Sequence, residues 1–188
     1  LVSECFVTAP IAFDNSYARL PERFFAAVDP ARSPEPRLIA INRALALELG
    51  LDPDWLAGAD GLAMLSGQTV VAGSQPIATA YAGHQFGSFT TLGDGRAILL
   101  GEQITPAGTR VDVQLKGAGE TPYSRRGDGR AALGPMLREL VISEAMHGLR
   151  VTEASCGIAS ASWANRCSRS SIPATSTPGA PCRPKSTG

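Results

Sequence analysis

Lys116 stands at the end of the run Val-Asp-Val-Gln-Leu, directly before Gly117-Ala118-Gly119, and every other Lys or Arg position in the first 184 residues is arginine. An ammonium is a compact charge on a flexible stem that meets a phosphate end-on, whereas a guanidinium is a planar fork. Phosphate is therefore the first ligand such a lysine suggests. An arginine-biased composition also leaves a lone lysine by chance, so the neighbours decide. The pentapeptide Gly-Asp-Gly-Arg-Ala occurs twice, at 93–97 and 127–131, once on each side of Lys116. In both copies glycine permits positive φ and close backbone approach while arginine brings charge to the turn. Lys116, Arg125, Arg126 and Arg130 accompany Gly117, Gly119, Gly127 and Gly129 in one stretch. A pocket for several phosphates needs that mixture, because N–H groups and cations must both reach the oxygens. One ammonium and one phosphate charge at 4 Å attract by about 4 kcal/mol at an effective dielectric of ~20, before desolvation.

Simpler readings compete with this one. Asp-Gly is a common hairpin turn, and either copy could be only that. Arg126-Gly127-Asp128 spells a short adhesion string without any secretory context. Gly127, Gly129 and Ala132 have dinucleotide-binding spacing, but Thr-Pro-Tyr-Ser-Arg-Arg before them does not read as a buried strand. No GxxxxGK[ST] occurs. What remains is a kinase-like order: a glycine turn entering a strand at 93–100, a lysine on the following strand, and Glu139 on a helix that can hold the lysine. The strings His-Arg-Asp and Asp-Phe-Gly are absent.

The positioning elements are partly legible. Leu38, Ile41, Leu45 and Leu49 recur at helical spacing and predict a core-facing helix over 37–50 closed by Gly50. Asp52-Pro53 reads as an N-cap and first turn of a short helix, and 57–76 as a loose connection. The runs 96–100 and 111–115 predict two antiparallel strands joined by a longish loop, with Lys116 at a strand end. A second amphipathic helix is predicted over 135–149, with Leu137, Val141, Ala145 and Leu149 on its apolar face and Glu139 and Glu144 also on the helix.

The 188 residues carry no formal net charge and are 44% hydrophobic, the composition of one globular domain with or without a tail. Balanced charge argues against a nucleic-acid partner held by bulk electrostatics. No apolar run suggests a membrane span or secretory leader, and the cytoplasm is the default location. Cys156, Cys167 and Cys182 have no zinc-site spacing, and His84 and His147 read as structural. Past Arg150 the composition changes: 151–188 holds eight serines, four threonines, four prolines and one acid, Glu153. That segment is expected to be irregular or out of frame, which divides the chain into a lobe at 1–149 and a tail at 150–188.

The strings FDNSYARLPERFF, AYAGHQFGSFTTLGDGRAILLGE and DVQLKGAGETPYSRRGDGRAALGPMLRELVISEAMHGL closely resemble the selenoprotein O family, whose bacterial members are also called YdiU. The resemblance covers about 12–149. It implies an α+β, protein-kinase-like N-terminal lobe with a small antiparallel sheet. It also implies a protein adenylyltransferase that binds ATP inverted and transfers AMP to Ser, Thr or Tyr hydroxyls of protein substrates, using Mg²⁺ or Mn²⁺. By the same resemblance Gly93, Gly95 and Arg96 match the nucleotide-binding turn, Lys116 the phosphate-binding lysine, Glu139 its helix glutamate, and Asp128 with Gly129 the second nucleotide turn. The catalytic aspartate, the metal ligands and further phosphate arginines belong to a later region that 151–188 does not resemble, so this chain by itself is expected to be inactive. Glu120 and Thr90-Thr91 depart from residues common in the family. A non-catalytic nucleotide- or phosphate-binding module is the alternative expectation.

Overall fold

The computed structural model describes residues 11–85 and 87–149, and the backbone of 159–162. Two short 3₁₀ turns, Tyr17–Arg19 and Glu22–Phe24, lead into β1 (Phe25–Ala27). There follow β2 (Arg37–Ile41), α1 (Arg43–Glu48), α2 (Pro53–Ala57), α3 (Ala59–Leu65), β3 (Ile77–Gln85), β4 (Ser88–Gly93), β5 (Ala97–Ile104), β6 (Arg110–Lys116), α4 (Leu133–Gly148) and β7 (Ala159–Ser162). The main sheet is antiparallel in the order β1-β3-β5-β6, and the far half of β3 leaves it to pair with β4 as a ribbon. The α+β class with a small antiparallel sheet is as expected. Among the described residues no helix is long and apolar enough to cross a membrane.

The core lies on one face of the sheet. Ile98, Leu100, Val113 and Leu115 pack there against Ala46, Leu56 and Met64 from the three short helices and Leu51 between the first two. Ile98 and Leu115 face each other across the strands, as do Ala97 and Lys116, so the β5–β6 register alone decides that Lys116 points away from the core. A register shift between Leu99 and Gly101 lets the N-terminal segment cross β5: Phe13 bridges Gln103, and a Cβ on Gly101 would collide with Phe13 and Asn15.

Several expectations are corrected. Residues 37–41 form a strand, and the helix is only 43–48. Asn42 interrupts the apparent periodicity because its Oδ1 accepts the Leu45 N–H at 2.9 Å and starts the helix there. Gly50 does close it, at φ +76°. Asp52 caps α2 as expected, accepting from the Asp54 N–H at 2.8 Å. The segment 57–76 is not all connection, since α3 occupies 59–65. The loop between β5 and β6 is short, because the strands extend to Ile104 and from Arg110. The last long helix begins at Leu133, two residues before Pro135, and has no buried residue; Val141 is 65% and Ile142 60% exposed. Its apolar stripe therefore meets no core within the described lobe. In the expected irregular tail, 159–162 is a strand antiparallel to β2, with Ile41 opposite Ala159. The rest of the tail, and with it Cys156, Cys167 and Cys182, lies outside the described residues.

A charged clasp ties the N-terminal segment to the edge of β5 and β6. Arg110 donates to Asp14 Oδ2 at 2.6 Å, and Arg19 to Asp14 Oδ1 at 2.8 Å. These hydrogen bonds hold the Asp14 carboxyl below its ordinary 3.8. Burial pushes the Glu102 carboxyl up, but hydrogen bonds from Ser16 Oγ and the Tyr17 N–H, with the Arg110 charge, bring it below its ordinary 4.5. Both carboxylates stabilise the fold in full above those ordinary values, and that contribution is lost as pH falls through the lowered ones. Asp112 has the opposite sign. Burial first, and then the charge of Glu102 directly across the ladder, hold its carboxyl above 3.8, so its ionisation costs stability as pH rises past that value. Asp112→Asn is expected to raise the urea midpoint at pH 7 and to leave it nearly unchanged at pH 3. A lower midpoint at pH 7 would show that the carboxylate is favourably held.

Candidate functional site

Lys116 Nζ lies 3.2 Å from Glu139 Oε2, joining the end of β6 to the second turn of α4. Both side chains are nearly half exposed, so the pair contributes no more than about 1 kcal/mol to stability. Its consequence is positional: it holds the ammonium at the mouth of the site. A second tether, Asn42 Nδ2 to Glu144 Oε1 at 2.8 Å, fixes the other end of α4.

The two Gly-Asp-Gly-Arg turns come together around this ammonium's strand. The Gly117 N–H donates to the Arg96 carbonyl at 2.6 Å, and the Gly119 N–H to the Gly129 carbonyl at 3.2 Å. Ala118 bridges Arg130. Gly93, Gly95, Arg96, Lys116, Asp128 and Gly129 thus belong to one continuous loop cluster, with Glu139 reaching it from α4.

The glycines have a reason that sequence reading missed. A Cβ on Gly93 would enter the Tyr123 ring, one on Gly95 would sit 2.9 Å from the Tyr123 carbonyl, and one on Gly129 would overlap the Gly119 carbonyl. Protein, not open space, occupies those positions. Asp94 is consumed structurally: Oδ2 accepts from Thr79 Oγ1 at 2.6 Å, and its carbonyl from Thr121 Oγ1 at 2.6 Å. Ser124 Oγ donates to the Gly95 carbonyl and accepts the Thr121 N–H at 2.7 Å. Asp128 Oδ1 accepts the Arg130 N–H at 2.9 Å, an Asx turn. The segment Thr121–Ser124 therefore braces the first turn through its carbonyls. Among the described residues no hydrogen bond engages the N–H groups of Gly95 and Arg96, which leaves two adjacent donors for an anion.

Of the arginines, Arg125 turns aside. Its guanidinium bonds to the Gln85 side chain, and its backbone is left-handed at φ 58°. His84 stacks edge-on with Phe89 at 5.2 Å on the exposed ribbon. Among the described residues no group of three or more His, Cys, Asp or Glu side chains is placed to hold a metal ion.

Comparison with known proteins decides the family. The model of the family described as protein adenylyltransferase SelO matches residues 8–179. The chain belongs to the SelO family. Among its relatives, the protein nucleotidyltransferase YdiU of Anoxybacillus flavithermus is 63% identical over 139 residues, which cover 74% of this chain and 29% of the relative. The protein of the same name from Geobacillus kaustophilus gives the same figures, and that of Methylorubrum populi is 62% identical over 146 residues, 77% of this chain and 29% of its own length. The SelO chain described here thus spans under a third of the curated relatives it matches. The family is one of protein nucleotidyltransferases.

The crossing at Gly129 is open to a direct test. Gly129→Ala places a methyl on the Gly119 carbonyl at a residue with φ +64°, and is expected to cost about 2 kcal/mol or more in a urea melt. Gly134→Ala in α4 meets nothing within 4 Å and is expected to be neutral or stabilising by up to about 1 kcal/mol. Equal stability of the two variants would mean that the turns do not cross as described.

Proposed function

We propose that this lobe is the ATP-binding part of a protein adenylyltransferase that transfers AMP to Ser, Thr or Tyr hydroxyls of protein substrates. The observation that carries the reading is the Lys116–Glu139 pair standing beside two braced Gly-Asp-Gly-Arg turns, one of which offers the unengaged N–H groups of Gly95 and Arg96. Preorganised donors and a fixed ammonium stabilise polyphosphate charge without reorganising when the ligand arrives. Lys116 receives a phosphate, Glu139 orients it, and Gly93, Gly95, Arg96, Asp128 and Gly129 form the backbone wall.

In the proposed transfer, the acceptor hydroxyl oxygen bonds to the α-phosphorus as the bond to the bridging oxygen breaks. AMP stays on the protein, pyrophosphate leaves, and the hydroxyl proton passes to a base outside the described residues. The metal, Mg²⁺ or Mn²⁺, is likewise assigned to ligands outside them. The lysine at a strand end paired with a glutamate on a helix, an order that kinase-like lobes use to hold nucleotide phosphates, supports this reading. A cytoplasmic location, with neither nucleic acid nor membrane as partner, completes it.

A chimera carrying residues 11–149 of this chain in place of the corresponding part of the Anoxybacillus flavithermus relative tests the reading with ATP labelled at the α-phosphorus. Label is expected to appear on protein, and Lys116→Ala to reduce its rate by about 10²-fold or more. The 188-residue chain alone is expected to transfer none. Undiminished labelling by the Lys116→Ala chimera would contradict the role given to that residue, and binding of ATP by an intact chimera without any transfer would favour a non-catalytic module.

A further inference from the structure

Helix α4 carries Glu139 to Lys116, yet none of its residues is buried, and Met136, Leu140 and Ser143 reach only half-burial. A helix without a buried stripe is not locked by interdigitating side chains, so its height and rotation depend on the ties that reach it. Beside the Lys116–Glu139 pair at 3.2 Å, Asn42 Nδ2 donates to Glu144 Oε1 at 2.8 Å. Glu139 and Glu144 lie about 7.5 Å apart along the helix axis and about 140° apart around it. A single tie lets a helix roll about its anchor. Ties on different turns and different faces remove both freedoms.

Asn42 can hold α4 because it is itself held. It follows β2 and caps α1: its Oδ1 accepts the Leu45 N–H at 2.9 Å, and Ala46, the next residue of that helix, is fully buried. The Leu45 N–H needs an acceptor and the Glu144 carboxylate needs a donor, which fixes the end of the amide that faces each partner. An amide serves both at once. A carboxylate in its place would keep the cap and lose the tie. Asn42 thus passes the position of the core to α4 across 102 residues of sequence, and through α4 to Glu139.

We infer that Asn42 is a positioning residue for the transfer of AMP: through Glu144 it holds α4 where Glu139 meets Lys116, and so fixes the ammonium that receives the phosphates. The inference rests on the phosphate reading above and adds to that site the residue that keeps its cation in place, acting through the helix rather than on the ligand. With the tie released, the ammonium is still present but no longer held at the mouth of the site.

The test exchanges donor and acceptor across the tie. Asn42→Asp keeps the α1 cap, since aspartate caps a helix as well as asparagine does, and sets a carboxylate against Glu144. Glu144→Gln alone still accepts from Asn42, and in the double variant Asn42→Asp/Glu144→Gln the introduced amide donates to the introduced carboxylate. The 188-residue chain labelled with ¹³C only at the lysine ε-carbons gives methylene signals from Lys116 and Lys185. Loss in Lys116→Ala identifies the first, and Glu139→Gln supplies the position of a released side chain. Asn42→Asp is expected to move the Lys116 signal toward that position, with the held-to-released ratio falling about fivefold, and to weaken tripolyphosphate binding by a similar factor. The double variant should recover both, Glu144→Gln should stay near the unaltered chain, and Glu144→Ala, which leaves the cap untouched, should reproduce the loss. A residue that served only as a cap would be indifferent to which side of the tie carries the amide. A Lys116 signal unmoved by Asn42→Asp and Glu144→Ala, or moved without recovery in the double variant, overturns the positioning role and leaves the phosphate reading standing where the unaltered chain binds tripolyphosphate. Unchanged tripolyphosphate affinity despite a moved and recovered signal overturns it equally. Failure of the unaltered chain to bind tripolyphosphate overturns the phosphate reading, and the role in transfer with it.

Discussion

Two backbones cross at Gly119 and Gly129 with no room for a Cβ at the second, and the candidate site follows from that crossing. The pairing of β5 with β6 brings Lys116 opposite Ala97, immediately after the first turn. The chain then passes through Gly117 and Gly119, both at positive φ, and folds back so that the second turn lies against the segment that follows β6. A repeated pentapeptide, its two copies separated by 29 residues of sequence, becomes one loop cluster only because those glycines let the main chains touch. Without the crossing, each Gly-Asp-Gly-Arg would be an ordinary turn.

The energetic and geometric roles of the charged groups separate cleanly. The Asp14–Arg110–Glu102 clasp draws on partly buried, multiply hydrogen-bonded carboxylates and holds the sheet edge. The Lys116–Glu139 pair is open to water and adds little stability, yet it sets where a cation stands relative to two unengaged N–H groups. Position rather than strength is what a polyanion site requires of it. The same division holds among hydroxyls: Thr121 and Ser124 spend theirs on the carbonyls of Asp94 and Gly95, which braces the turn whose next N–H groups, those of Gly95 and Arg96, are unengaged among the described residues.

What could be read in advance was local. Gly50, Asp52 and the strands around 97–104 and 110–116 carry short-range signals, and the partnership of Lys116 with Glu139 followed from a strand lysine and a helix carboxylate placed in order. The strand at 37–41 was disguised because Leu38, Ile41, Leu45 and Leu49 have helical spacing across a strand, a cap and a helix; only Asn42 betrayed the break. Helix α3 was hidden by Gly61, a poor helix former that is there because a Cβ would strike the Leu56 backbone. The brace at Thr121–Ser124 acts on carbonyls more than 25 residues away, and no periodicity records such a contact. Thr-Pro-Tyr-Ser did carry a turn signal, with hydroxyls at both ends, and it was the signal left unused. The ribbon of β3 and β4 likewise arises from pairing that only the folded chain displays.

The chain contains two lysines, Lys116 and Lys185, so a sample labelled with ¹⁵N only in lysine side chains gives at most two ammonium signals. Titrating tripolyphosphate and following those signals observes the central group itself. The signal assigned to Lys116 by its disappearance in Lys116→Ala is expected to move with saturation and to move less in Glu139→Gln, where the orienting charge is gone. A Lys116 signal that stays fixed while the phosphorus resonances of the ligand broaden would place the polyanion elsewhere on the lobe and contradict the site described here.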